Sequence, residues 1–237
     1  MQYRVSRLVA GPFLRVLARA TVEGAENVPA SGAAILASNH LSVIDSVYLP
    51  LLLPRPVSFA AKSEYFTGTR LQDRLIGAYL RSTHQISTDR SSGRAAQAML
   101  DAALDFLGTG ELFGIYPEGT RSPDGRLYRG RTGVGYLALQ SGVPVIPVAM
   151  TGTDSVLPPG RKVPRPGKIG IRIGEPMEFP EFRGQAGARQ RRSVTDDVVQ
   201  AIQKLSGQEY VPMYASDRKR ELSAAAVTGP PASGNPA

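Results

Sequence analysis

Short apolar runs, each ending in a turn, alternate along this chain with longer amphipathic segments, and that alternation restricts the folds open to it. "GAAILASN" (32–39), "VSFAAK" (57–62), "THQISTD" (83–89), "LFGIYPEG" (112–119), "PVIPVAM" (144–150) and "KIGIRIGEP" (168–176) read as strands, with a further strand and turn in "VEGAENVP". Helical periodicity marks 41–53, 69–82, 93–110, 133–142 and 194–207, the last being the final clear helix. Strands that alternate with helices build an α/β domain around a mostly parallel sheet, with functional side chains at the carboxyl ends of the strands. No internal repeat interrupts the series, so a single domain is expected.

The chain has 237 residues, 42% of them hydrophobic, enough to bury one sizeable core. Cys is absent, so disulfides and thiolate nucleophiles are excluded. Net charge is +8, and 23 of the 28 basic residues are Arg. GC-rich coding and an anionic partner both account for that bias. Trp is absent and no aromatic ladder or zinc-ligand spacing occurs, so nucleic acid is not expected as a partner. No apolar run reaches the roughly 18 residues of a membrane span; "VYLPLLLP" is short and carries Pro50 and Pro54.

Residues 1–20 place Val5, Leu8, Val9, Pro12, Phe13, Val16, Leu17 and Ala20 at helical spacing, with Arg4, Arg7, Arg15 and Arg19 between them. A secretory signal fits poorly, because Arg15 and Arg19 break the apolar stretch. A core helix and a helix lying on an anionic membrane surface both fit. Residues 223–237, "SAAAVTGPPASGNPA", have no periodicity and read as a disordered tail.

Two stretches carry chemistry. In "ASNHLSVIDS" (37–46), His40 sits just past a strand end with Asp45 five residues on. If His40 lies in the turn and Asp45 in the first helical turns, the carboxylate reaches back to Nδ1, fixes the tautomer and leaves Nε2 as a base. A capping or core-lining histidine fits the same pattern. In "YPEGTRS" (116–122), Glu118 and Arg121 close a buried run, where unpaired charge is costly. Gly119 lets the backbone approach a ligand, and the Arg121 fork suits a phosphate; a β-turn with a salt bridge is the blander account. Neither Ser42 nor Ser46 lies in a G-x-S-x-G elbow, which weakens a serine-hydrolase reading. His84 has no acid at useful spacing and reads as structural.

Together, "NHLSVID" and "YPEGTRS" resemble the first and third blocks of the glycerolipid acyltransferases, typified by bacterial 1-acyl-glycerol-3-phosphate (lysophosphatidic acid) acyltransferase. "AKSEYF" with "ISTDR" looks like the second block, carrying Lys62, Asp89 and Arg90, and "VPVIPVAMTGT" looks like the fourth. The resemblance spans roughly residues 20–175. Tyr116 replaces a family Phe, and His84, Ser87 and Thr88 depart from the family's G-x-I-P-V-D-R, which bears on acceptor choice. The resemblance implies acyl transfer from a thioester, acyl-CoA or acyl-carrier protein, to the hydroxyl of a lysophospholipid such as 1-acyl-glycerol-3-phosphate. His40 and Asp45 would be catalytic, and Glu118, Gly119, Thr120, Arg121, Lys62 and Arg90 would bind substrate. Glu118 would orient the acceptor or anchor Arg121, and backbone N–H groups near Gly119 would hold the oxyanion. No metal or cofactor is implied. Another lipid acceptor, or a non-enzymatic lipid-binding protein on the same scaffold, is the alternative. The expected organisation is an interfacial helix over 1–20, an acyltransferase domain over 21–210 and a tail over 223–237. The protein would sit peripherally on the cytoplasmic face of an anionic membrane.

Overall fold

The computed structural model describes residues 12, 15–62, 86–88, 93–161, 163–182 and 187–227, and of residues 61, 62, 86–88, 93, 94, 226 and 227 the backbone only. The expected helix over 69–82, with His84 and Arg90, lies outside these residues.

The described strands are β1 (Thr21–Glu23), β2 (Ala34–Ser38), β3 (Val57–Lys62), β4 (Ile86–Thr88), β5 (Leu112–Ile115), β6 (Leu127–Tyr128), β7 (Val145–Thr151), β8 (Gly170–Ile173) and β9 (Tyr210–Val211). Seven of them form one sheet in the order β1-β8-β7-β2-β5-β3-β4. Five of its six pairings are parallel; β8 runs antiparallel to β7. The expected α/β class, with a mostly parallel sheet, is the one formed.

The helices are α1 (Asp45–Leu52), α2 (Gly93–Gly108), α3 (Gly133–Ser141), the single turn α4 (Thr153–Val156), α5 (Ala188–Ser206) and α6 (Ala215–Val227). Among the described residues none is long and apolar enough to cross a membrane. Alternation along β2 shows how both faces of the sheet are covered. Leu36 packs with Tyr48, Leu49 and Leu52 of α1 and with Ile146, Val148 and Met150 of β7. Its neighbours Ile35 and Ala37 pack the other way, with Leu107 of α2, Leu137 of α3 and Val194 and Val198 of α5. All five β2 residues are buried, as a central parallel strand requires.

From the adjacent strands β2 and β5 the chain leaves in opposite directions along the sheet, toward β3 and toward β7 respectively. Such a switch point opens a crevice at the carboxyl ends of the strands. In register, Ala37 lies opposite Ile115 of β5. Three more residues along each strand bring His40 level with Glu118.

Three expectations are corrected. The helix after β2 begins at Asp45 rather than just past His40, because the intervening N–H groups bond the Asp45 side chain, as described below. The helix over 194–207 is not the last: α6 follows it. The tail expected from Ser223 is helical as far as Val227, the end of α6, which docks on the 116–122 loop. α6 lacks an apolar stripe. It is held by ion pairs along its own surface, Arg218–Glu221 and Arg220–Asp217, and by polar contacts to the sheet loops. Helical periodicity does not register such contacts.

Candidate active site

His40 lies two residues past the end of β2. Its Nδ1 lies 2.8 Å from Asp45 Oδ2, and the same oxygen accepts the backbone N–H groups of Leu41 (2.8 Å) and Ser42 (2.9 Å). Asp45 is fully buried and opens α1. Its carboxylate therefore gathers the turn around itself. Because a carboxylate only accepts, Nδ1 must carry the proton, which leaves Nε2 with its lone pair. Among the described residues Nε2 has no partner, and the side chain keeps 16% exposure. The imidazole stacks on Tyr116, with ring centroids 3.8 Å apart and planes 9° apart, and Tyr116 stacks in turn on Phe59. Tyr116 Oη lies 2.8 Å from Ser46 Oγ on α1, a bond that phenylalanine cannot make.

The backbone of His40 is clamped from both sides by the loop after β5. His40 N–H donates to Glu118 Oε2 (3.1 Å), and Ser122 N–H donates to the His40 carbonyl (2.7 Å). Glu118 Oε1 accepts from Tyr128 N–H (3.0 Å), so a single carboxylate ties β2, β5 and β6 together. Gly119 turns this loop with φ +72°, its N–H bonded to the Tyr116 carbonyl; a Cβ there would meet Arg131 Cδ at 3.0 Å. On the opposite flank Asn39 extends the β2–β7 ladder with its side chain. Its Oδ1 accepts from Met150 N–H (2.7 Å) and its Nδ2 donates to the Met150 carbonyl (2.9 Å) and to Gln208 (2.7 Å).

The arrangement is a histidine with a fixed tautomer, one open nitrogen and a rigid backbone, flanked by an exposed arginine, Arg121. The acyltransferase family model matches residues 19–151, more than half of the chain and all of these elements. The chain belongs to the acyltransferase family. It is similar to the 1-acyl-sn-glycerol-3-phosphate acyltransferase of Bacillus subtilis (strain 168), with 29% identity over 182 residues, 76% of this chain and 84% of that protein. It is also similar to the chloroplastic 1-acyl-sn-glycerol-3-phosphate acyltransferase LPAT1 of Arabidopsis thaliana, 30% identical over 168 residues, which span 70% of this chain and 44% of that one. The crystal structure of the 1-acyl-sn-glycerophosphate acyltransferase PlsC from Thermotoga maritima superposes with a TM-score of 0.68 at 29% identity, covering 86% of this chain and 79% of that one.

In this acyltransferase His40, Asp45, Glu118, Gly119, Thr120 and Arg121 come together at the ends of β2 and β5. Lys62 ends β3, two strands from β2, with its side chain outside the described residues, as is Arg90. Glu118 was expected to orient acceptor or anchor Arg121. Both of its oxygens instead accept backbone N–H groups, and only 2% of the residue is exposed, so it positions His40. The Gly119 N–H, expected among the oxyanion donors, is spent on the turn. Among the described residues the N–H groups of Thr120 and Arg121 have no acceptor. Four further residues touch these groups through contacts that the sequence does not show: Asn39, Tyr116, Ser122 and Lys219. The first three lie inside the quoted blocks, where adjacency to His40 and Glu118 was the available signal. Lys219, on α6, donates to Thr120 Oγ1 (2.6 Å) from a stretch with no signal at all.

Burial pushes the Glu118 carboxyl up to about 7, against the two N–H donors that favour its charged form. A carboxyl whose pKa rises on folding keeps its proton longer in the folded chain than in the unfolded one. Its contribution to stability is complete below 4.5, the ordinary value, and is lost as pH rises through about 7. Relative to Glu118→Gln, whose offset does not titrate, the unfolding free energy of the native chain should fall by up to about 3 kcal/mol between those limits. Denaturant titrations of both proteins across this range measure it. Parallel pH profiles would show that Glu118 does not titrate there.

Proposed function

We propose that this acyltransferase moves a fatty acyl group from an acyl thioester, carried on coenzyme A or acyl-carrier protein, to the free hydroxyl of 1-acyl-glycerol-3-phosphate, giving phosphatidic acid. The observation that carries this reading is the 2.8 Å contact between His40 Nδ1 and Asp45, beside an exposed Arg121. The printed names of the relatives support the acceptor. His40 Nε2 takes the hydroxyl proton as the oxygen attacks the thioester carbonyl. The tetrahedral oxyanion is stabilised by the N–H groups of Thr120 and Arg121. As it collapses, the carbon–sulfur bond breaks and the thiolate leaves with the proton held on Nε2. The products are an ester and a free thiol, and His40 returns to its starting state. No acyl-enzyme is required, consistent with the engagement of both nearby serines: Ser42 Oγ donates to the Leu157 carbonyl and Ser46 pairs with Tyr116. Arg121 offers its planar fork to the acceptor phosphate.

The acceptor resides in a bilayer, and we infer that the N-terminal segment brings the enzyme there as a peripheral protein on the cytoplasmic face. On this segment Val16 is 80% exposed while Ala18 is buried in the core, and an exposed apolar side chain supports this reading. One experiment tests acceptor and surface together. Purified enzyme, palmitoyl-CoA or oleoyl-CoA, and anionic vesicles carrying either 1-acyl-glycerol-3-phosphate or monoacylglycerol are incubated and the products read by mass spectrometry. The phosphorylated acceptor should be favoured at least ~10-fold, and Arg121→Lys should narrow that preference with little change in the donor KM. The protein should sediment with the vesicles, less so at high salt. Equal use of the two acceptors would remove the phosphate from the reading, and failure to sediment would remove the surface.

A further inference from the structure

Of the three consecutive cations on α6, the outer two are paired: Arg218 with Glu221 and Arg220 with Asp217. Lys219, between them, points to the site instead, its Nζ 2.6 Å from Thr120 Oγ1. Thr120 neighbours Arg121, and both lie between Glu118 and Ser122, the two residues that clamp the His40 backbone. Among the described residues no acid lies within ion-pairing distance of Lys219 or Arg121. Burial and then the charge of Arg121 lower the Lys219 pKa, and Glu118 opposes them only weakly. Glu118 is itself a poor counter-charge, since its pKa of about 7 leaves it partly neutral. Two neighbouring cations without a matching anion, Lys219 partly buried and Arg121 exposed, make a site for one. Because the Thr120 hydroxyl accepts from Lys219, its own proton is left to donate to the same anion.

We propose that Lys219 of α6, Arg121 and the Thr120 hydroxyl form one subsite for the phosphate of the acceptor, with Lys219 as a substrate-binding residue from outside the motif blocks. The proposal rests on the reading above for the identity of the anion, which the test separates from the subsite itself.

Glycerol 3-phosphate is the probe, titrated by calorimetry into the full chain and into Lys219→Gln and Lys219→Arg. Gln keeps the contact to Thr120 and loses the charge; Arg keeps the charge. The Gln variant should bind about tenfold more weakly and the Arg variant within about threefold of the native chain. In turnover assays the Gln variant should raise the acceptor KM similarly while leaving the donor KM within about twofold, a split that a loosened fold would not produce. A second measurement needs no variant. Brief amine acetylation of the native chain, read by mass spectrometry, should show glycerol 3-phosphate protecting Lys219 but not Lys168 or Lys204. An unchanged affinity in the Gln variant, no protection of Lys219, or no binding by the native chain would each overturn the subsite. A native chain that binds glycerol 3-phosphate but transfers no acyl group would overturn the proposed reaction and leave the subsite standing.

Discussion

Replacing His40 with alanine should lower turnover by ~10²–10⁴-fold and leave the fold intact, the range expected for the loss of a positioned general base. The structure explains why folding should survive. The groups that hold residue 40 in place grip its backbone: the Glu118 carboxylate takes its N–H and Ser122 N–H takes its carbonyl. Asp45 keeps its bonds to the N–H groups of Leu41 and Ser42 without the imidazole. The stacked contact with Tyr116 is lost, but Tyr116 retains Phe59 and Ser46. Circular dichroism and a thermal midpoint establish the fold, and steady-state assays with excess acceptor give turnover. A well-folded His40→Ala protein that keeps more than about a tenth of native turnover would end the base mechanism.

Asp45→Asn is the sharper experiment, since it changes one atom and should still cost ~10²–10³-fold in turnover. Asp45 Oδ2 accepts from three donors, two of them backbone N–H groups. An asparagine whose carbonyl oxygen takes the Oδ2 position keeps all three bonds, and its NH₂ group falls at Oδ1, a buried position with no partner among the described residues. What is lost is the negative charge that stabilises the imidazolium formed when Nε2 takes the hydroxyl proton. Substrate affinities should stay near native while turnover collapses. Circular dichroism establishes that the variant is folded. A well-folded variant with normal turnover would remove Asp45 from that role.

The helix–strand alternation was legible because buried runs such as Ile35–Ala37 and Leu112–Ile115 must be apolar on both faces of a central strand. The junction at β2 was legible too, since turn residues and charge follow the run. The two-residue strands β6 and β9 were not, being too short to show a period. The start of α1 at Asp45 depends on which N–H groups a side chain satisfies. Glu118 illustrates the limit best. Its place in "YPEGTRS" marked it as important, and substrate binding was the natural role for a charged residue there. Its role as a clamp became visible only once β2 and β5 paired in register.

By itself, the sequence determined the fold class and the strand ends on which His40 and Glu118 sit, because local periodicity and residue chemistry set these over a few neighbouring residues; it put Asp45 within reach of His40 and left a capping role open. The tertiary structure alone decided what grips His40 from the neighbouring strand, that the N–H groups of Thr120 and Arg121 are left open, and that Lys219 arrives beside Thr120 from 99 residues further along. Contacts at that separation follow from sheet order and from the docking of a polar helix. Neither leaves a period in the chain, so the amine near the proposed phosphate site becomes visible only after folding.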